Sequence, residues 1–378
     1  MTMRKMRVMH DWSELQHDLL VLIVRNLNLI EDYLNFGTVC KSWRSVATKD
    51  NFNSNLPSVP WLMLAEEEDD DTCRKFFSLY NGMILKKSIP KARGKRCMES
   101  MGWLITVGKY EGEISLLHPF SGVQIELPHQ NTVIFHDHSE EPWTFIKKAV
   151  LSANPSHTSD YILMVISGPH DQLCFWRPGD LLWTNYIEEP TAYRRFTDVV
   201  YSNGQFYAVT SRGRVQVFVV IGHRLTKCRT VAQIANQHSE QFYILESLGS
   251  LFVVMQSGKE ISDPGDDNEV LTYGTTHFHV YRVNLAARKV KETRDIRDRA
   301  FFLGANASLS VQASQFPGIK PNHIYFTDNW LDAYIHLEEG GGLDMGVFNI
   351  ADGSIQPHYD GVSLSLVCPP IWVTPTPS

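Results

Sequence analysis

Apolar residues recur at helical spacing through the first fifty positions and alternate with polar ones beyond them. Leu15, Leu19, Leu20, Leu22, Ile23 and Leu27 follow a 3.6-residue period, which predicts a short helix with one oily face. A second short pattern runs through Tyr33, Leu34 and Phe36, and a third through Val39, Cys40, Trp43 and Val46. Three helices in so short a span cannot bury that much apolar surface among themselves. The surplus is expected to lie against another protein.

From Trp61 onward the texture is that of short β-rich runs separated by Gly, Asn, Asp and Ser. Strands are expected to begin near Trp61, Trp103, Tyr161, Gln205, Ser250 and His323. The steps from 161 to 205 and from 205 to 250 are 44 and 45 residues, the length of a propeller blade. Longer steps are read as carrying polar insertions, such as the one from Gly258 to Gly274. The fourth unit shows the grammar most fully. Phe196 to Tyr201 and Gln205 to Thr210 are two strands joined at Ser202-Asn203-Gly204. Val215 to Ile221 and Leu225 to Ile234 follow after the turn Ser211-Arg212-Gly213-Arg214. Glycine at such tips suits tight hairpins, because it reaches positive φ without steric cost. Third strands recur at Glu113–Leu117, Leu173–Trp176, Phe278–Tyr281 and Met345–Phe348.

Four antiparallel strands in each of about six units predict a β-propeller. The first unit lacks an innermost strand ahead of Trp61, while the β-rich run Pro370-Ile371-Trp372-Val373-Thr374 has no unit of its own. That tail is expected to pair into the first blade and close the ring, which removes both exposed edges. An open or two-sheet all-β body is the rival. The expected architecture is a small all-α module over 10–55, followed by an all-β domain over 56–378.

Composition agrees with this picture and narrows the partners. The 378 residues are 43% apolar and 20% charged, too apolar for a disordered chain. A net charge of -7 argues against a general polyanion-binding role, so no nucleic-acid partner is expected. No apolar run reaches the roughly 20 residues that span a bilayer, and Met1 to His10 lacks the apolar centre of a signal peptide. The six cysteines (Cys40, Cys73, Cys97, Cys174, Cys228, Cys368) are scattered without a CxxC pair and read as thiols of a reducing compartment. The sequon Asn306-Ala307-Ser308 is then a chance match, and the chain reads as intracellular.

Candidate chemistry is sparse. The acidic run Glu66 to Asp71 is expected to be a solvated hairpin tip. The stretch Asp263 to Glu269 has oxygen ligands without the EF-hand spacing and is read as an inserted loop. His129, His136 and His138 beside Asp137 lack the fourth ligand of a zinc site and are read as surface residues. Lys86, Lys87 and the run Lys91 to Arg96 form a basic cluster, read as a hairpin with nuclear import as the alternative. No nucleophile elbow, zinc-protease helix, phosphate loop or catalytic cysteine motif occurs. No catalytic residue, cofactor or metal is expected.

Two resemblances then give these patterns a meaning. Trp12-Ser13-Glu14-Leu15, Asp18-Leu19-Leu20, Ile23, Leu27, Asp32-Tyr33-Leu34 and the Val39-Cys40-Lys41-Ser42-Trp43-Arg44 run resemble an F-box, the motif that docks on the Skp-type adaptor of a cullin–RING ubiquitin ligase. The family usually carries proline after the first leucine, where Gln16 stands here. The runs Pro60–Leu64, Ala92–Cys97, Gly102–Leu104, Leu117–Gly122, Asp344–Phe348 and Pro369–Trp372 resemble plant F-box proteins with a propeller-like C-terminal domain of unknown function. That group is related in architecture to kelch-type F-box proteins, without their double-glycine signature. The resemblance implies a substrate receptor of an SCF-type E3 ligase in the nucleus or cytoplasm. It would bind the adaptor, a cullin through it, and an unidentified target protein. It also implies apolar anchors at Leu15, Leu19, Leu20, Ile23, Leu27, Val39, Cys40 and Trp43, with Asp18 and Arg44 at the polar rim. A scaffold that delivers no target, or an enzyme built on the propeller, are the alternatives.

Overall fold

The computed structural model describes residues 11–27, 30–37, 39–51, 59–66, 72–133, 141–186, 195–235, 241–262 and 271–376. The chain forms two compact units, Met1–Val59 with Pro375–Ser378, and Pro60–Thr374. No helix among the described residues is long and apolar enough to cross a membrane.

The N-terminal unit holds a one-turn helix, Trp12–Glu14, and three α-helices: α1 (His17–Arg25), α2 (Ile30–Phe36) and α3 (Lys41–Val46). Asp18 in the first turn of α1 and Arg25 in its last complement the helix dipole. Helices of nine, seven and six residues are too short to persist alone, so tertiary contacts must hold them. Leu20, Val24, Tyr33, Phe36 and Val46 supply the core. The Trp43 ring packs on Phe36 at 4.5 Å, and its indole N–H donates to the Trp12 carbonyl at 2.9 Å. Arg25 donates to Asn51 Oδ1 at 2.9 Å, and Asn51 in turn donates to the Val46 carbonyl at 3.0 Å.

The second unit is a six-bladed β-propeller. From the inner strand outward, the first blade is Ile371–Val373, Trp61–Met63, Cys73–Phe77 and Ile84–Ser88. The second is Lys95–Ser100, Trp103–Gly108, Ile114–Leu117 and Gln124–Glu126. The third is Ile146–Leu151, Leu163–Ser167, Gln172–Trp176 and Thr184–Asn185. The fourth is Phe196–Ser202, Gln205–Thr210, Arg214–Ile221 and Arg224–Gln233. The fifth is Gln241–Ser247, Ser250–Ser262, Leu271–Asn284 and Lys289–Thr293.

The sixth blade departs from the four-stranded expectation. It has five strands in the order Ser308–Gln312, Arg299–Leu303, His323–Phe326, Gly346–Asn349 and Ile355–Gln356. Arg299–Leu303 and His323–Phe326 run parallel, with a crossover between them that adjacent-hairpin reasoning does not anticipate.

Burial explains the strand patterns. Trp103–Gly108 and Leu163–Ser167 are buried at every position, because each blade packs against a neighbour on both faces. The outermost Ile84–Ser88 alternates between half-buried and exposed. The core accordingly lies between blades: Met98, Trp103 and Ile105 of the second meet Ile146, Leu163 and Trp176 of the third in one cluster. The hairpin at Asn203-Gly204 has both residues at positive φ, +51° and +78°, as a two-residue turn with the right twist requires.

Two expectations change. The ends of the span from Gly258 to Gly274 are strand, continuing the ladder as far as the Ser262–Leu271 pair. Glycine is needed at 258 because a β-carbon there would lie 2.2 Å from the Trp330 ring. The segment from Asp263 to Glu269 lies outside the described residues. Glu66 is half-buried and paired: it meets Arg74 at 3.1 Å and accepts the Gly94 N–H at 2.9 Å, tying the first blade to the chain entering the second. The rest of that acidic run, 67–71, lies outside the described residues.

The closing strand behaves as expected. Trp61, Leu62 and Met63 pair antiparallel with Val373, Trp372 and Ile371. Trp372 is 1% exposed, packs edge-on against Phe302 at 5.0 Å, and donates its indole N–H to the Leu303 carbonyl at 3.1 Å. Replacing Trp372 by Ala should cost about 3–5 kcal/mol of stability, read as a lower denaturant midpoint. A loss within about 0.5 kcal/mol, typical of a surface site, would show that closure does not rest on this side chain.

Candidate docking groove and central channel

Helix α1 carries apolar residues on two faces. Leu20 and Val24 point into the core, at 1% and 2% exposure, whereas Leu19, Leu22 and Ile23 stand open at 44%, 58% and 38%. The open residues, with Trp12, Leu15, Asn26 and Leu27, line a shallow groove of about 550 Å³. A contiguous apolar surface of this kind on a small module is the candidate docking site.

The anchors expected from sequence are therefore divided by the structure. Leu15, Leu19, Ile23 and Leu27 line the groove. Val39 is exposed, and Cys40 is half-buried, with its carbonyl accepting the first N–H of α3 from Arg44. Leu20 lies in the module's own core, and Trp43 packs against that core, half-buried. Asp18 is fully exposed in its side chain. Arg44 is exposed and donates to the Gly37 carbonyl at 3.1 Å, joining α3 to the end of α2. Trp12 and Leu22 were absent from the expected anchor set. Leu22 shares the period of its neighbours, while Trp12 precedes the helix and carries no periodic signal.

The propeller has a second distinctive region along its axis. Lys148, third in the inner strand of the third blade, meets Asp198, third in that of the fourth, at 2.6 Å; they are 3% and 1% exposed. The Asp198 carboxylate also accepts from the Ile244 N–H at 2.8 Å, from the Val199 N–H at 2.7 Å and from the Ser308 hydroxyl. Asn306 donates its amide to the carbonyls of Glu99 and Ala149 and accepts the Ala149 N–H at 2.8 Å. It is 5% exposed, which closes the sequon to a glycan.

These contacts also orient the inner strands. Leu151 and Ser100, each the last residue of its strand, are joined by a hydrogen bond of 3.0 Å. The inner strands therefore run parallel around the ring, and the turns after first and third strands emerge at one end. Met83, Val123, Leu181, Leu182, Ile221 and Leu248 are exposed in those turns or at their edges. A pocket of about 280 Å³ lies at the same end, lined by Glu99, Met101, Lys148, Tyr201, Asn306 and Thr374 among others.

Among the described residues no group of three or more His, Cys, Asp or Glu is placed to hold a metal. His129 spends its ring nitrogens on the Glu111 carbonyl and the Asn131 N–H. His136, Asp137 and His138 lie outside the described residues. In the basic cluster, Arg96 is buried and Lys95 pairs with Glu113 at 3.0 Å, so part of the cluster is structural.

Glu99 gives the channel a pH signature. Burial pushes its carboxyl up to about 7, against the hydrogen bonds from Gly102 and Thr374 and the Lys148 charge. The folded state then holds a proton that the unfolded chain has released, so stability falls as pH rises from about 4.5 to about 7. His358 acts with the opposite sign: burial holds it down to about 4, and its contribution grows as pH rises from there to 6.5. Glu99→Gln keeps the acceptor for Gly102 and removes the ionisation. Its stability relative to the native chain should rise between about pH 5 and pH 8. An unchanged difference in denaturant midpoint at both values would place the Glu99 ionisation outside this range.

Comparison with known proteins bears on both regions. A family model of the F-box domain matches residues 12–55, and one described as KIB1-4 beta-propeller matches residues 76–349. The chain is 26% identical over 373 residues to the putative F-box protein At5g55150 of Arabidopsis thaliana, covering 97% of each. It is 27% identical over 421 residues to the F-box protein SKIP23 of the same plant, covering 97% of this chain and 96% of that one.

Proposed function

The chain belongs to the KIB1-4 β-propeller family of plant F-box proteins, and from that premise we propose that it is the substrate-recognition subunit of an SCF-type E3 ubiquitin ligase. The observation that carries the reading is the open apolar groove of α1, built on the segment that matches the F-box. Leu19, Leu22 and Ile23 with Trp12 are its anchors toward the Skp-type adaptor. Each fully buried leucine contributes on the order of 2 kcal/mol to such a contact. Leu20 and Trp43 contribute indirectly, by holding α1 and α3 in place.

The propeller presents the target protein. We assign this task to the end that bears Leu181, Leu182, Ile221 and Leu248 around the axial pocket, because exposed apolar tips gathered on one end suit a protein surface. The chain performs no bond chemistry. It raises the effective concentration of a target lysine at the ubiquitin-charged enzyme. Residence in the nucleus or cytoplasm is part of the same proposal.

Co-purification with a plant Skp-type adaptor tests the reading. The native chain should hold stoichiometric adaptor. Leu19→Asp with Leu22→Asp, both at exposed positions, should abolish capture while leaving the denaturation profile of the propeller unchanged. A folded native chain that captures no adaptor would overturn the proposal. Gln16 gives a second test, since its φ of -58° is the angle proline prefers and Leu15 before it is extended. Gln16→Pro should stabilise the module by about 0.4–1 kcal/mol, measured by thermal unfolding.

A further inference from the structure

The axial pocket holds one charge without a partner of opposite sign. Three of its lining side chains are more than nine-tenths buried and form its floor: Glu99 at 6% exposure, Lys148 at 3% and Asn306 at 5%. Met101, 39% exposed, and the half-buried Tyr201 stand at its mouth. Val150, Val199 and Leu309 give it an apolar wall. The second, third, fourth and sixth blades all contribute to the lining.

Two of the floor residues are already committed. The Lys148 ammonium meets Asp198 at 2.6 Å and donates to the Ser308 hydroxyl at 3.0 Å. Asn306 uses its amide on the carbonyls of Glu99 and Ala149, and its own oxygen on the Ala149 N–H. Glu99 differs. Its carboxylate accepts the Gly102 N–H at 2.6 Å and the Thr374 N–H, both uncharged donors. Among the described residues no Lys, Arg or His nitrogen lies within ion-pairing distance of it. Lys148 and Asp198 cancel, so an ionised Glu99 leaves the site with one negative charge in excess. A second anion here would set like charges together away from water, whereas a cation restores neutrality. The burial that pushes the Glu99 carboxyl up to about 7 is what an entering cation offsets. The volume of about 280 Å³ lies just below the roughly 300–1,000 Å³ of pockets for drug-sized ligands, and suits a single side chain.

We propose that the axial pocket receives a lysine or arginine side chain of the target protein, with its alkyl stem against Val150, Val199 and Leu309 and its cationic head on the Glu99 carboxylate. The inference rests on the reading that this end of the propeller presents the target, and adds the chemistry by which one residue of that target is recognised. Long basic side chains match the pocket in both parts, an apolar stem and a charged tip. The exposed tips Leu181, Leu182, Ile221 and Leu248 supply contact area but discriminate little between apolar partners. The shielded carboxylate does discriminate, because a target without a cation at that position leaves it buried and unpaired. A central anchor ringed by apolar contacts is also how a few residues come to dominate an interface.

The test uses the full chain and four probes, each read by saturation-transfer NMR. Two are free molecules, n-butylammonium and butyrate. Two are capped glycine peptides, one with lysine at its centre and one with norleucine there. Butylammonium and the lysine peptide should bind the native chain, and butyrate and the norleucine peptide should not. Glu99→Gln keeps the acceptor for Gly102 and removes the charge, and should weaken both cationic probes by about tenfold or more. Leu309→Trp, at a half-buried wall position, should fill the pocket and exclude them, which keeps the proposal testable if the first substitution impairs folding. Butyrate binding in place of butylammonium would overturn the proposal, as would cationic probes that bind Glu99→Gln as tightly as the native chain. Butylammonium binding without the lysine peptide would overturn it too, and make the pocket a site for free amines. Adaptor capture by the same preparations separates the two readings: a native chain that holds adaptor yet binds no cationic probe overturns this inference alone.

Discussion

The propeller depends on one carboxylate. Asp198 receives Lys148 from the third blade, its own Val199 N–H in the fourth, Ile244 from the fifth and Ser308 from the sixth. Hydrophobic contact between neighbouring blades is non-directional and leaves the inner strands free to slide. A buried carboxylate with four donors in fixed directions does not, because leaving any of them unmet costs on the order of 1–3 kcal/mol. The hub sets the relative height of four inner strands, and Asn306 extends that setting to the second and third blades through Glu99 and Ala149. The axial pocket and the exposed turns at that end take their positions from it.

The N-terminal module meets a different constraint. It is too small to bury every apolar residue its helices carry, and α1 divides them, with Leu20 and Val24 inside and Leu19, Leu22 and Ile23 outside. Tyr33, Phe36 and Trp43 complete the inner side, so the helix is held while its outer side stays available. The same surplus of leucine that would be a liability in an isolated domain leaves an open apolar groove on α1.

Much of this was legible in the sequence where the determinants are local. The fourth blade follows its expected strands closely, because alternation and the Asn203-Gly204 turn act over a few residues. The closing strand was legible through a missing inner strand at one end and an unassigned β-run at the other. The sixth blade was not, since its parallel pair joins strands separated by a crossover. Nor was the inward turn of Leu20, because periodicity marks an apolar face without saying how much of it a neighbour covers. The Lys148–Asp198 pair unites residues from separate blades, and no spacing rule connects them. Glu66 read as solvent-exposed because it opens a run of six acids, yet Arg74 claims it.

Closure by Ile371–Val373 has a consequence for how the protein is made. Synthesis proceeds from the helical module, through Trp61–Met63, Cys73–Phe77 and Ile84–Ser88, to the strand that completes their sheet nearly 300 residues later. At ribosomal speeds of about 5–20 residues per second, the first blade waits some tens of seconds for its inner edge. Through that interval the unpaired edge of Trp61–Met63 is open to any nascent strand nearby. The blade that starts the ring is therefore the last to be finished, and a growing chain is most vulnerable to mispairing at its oldest β-structure.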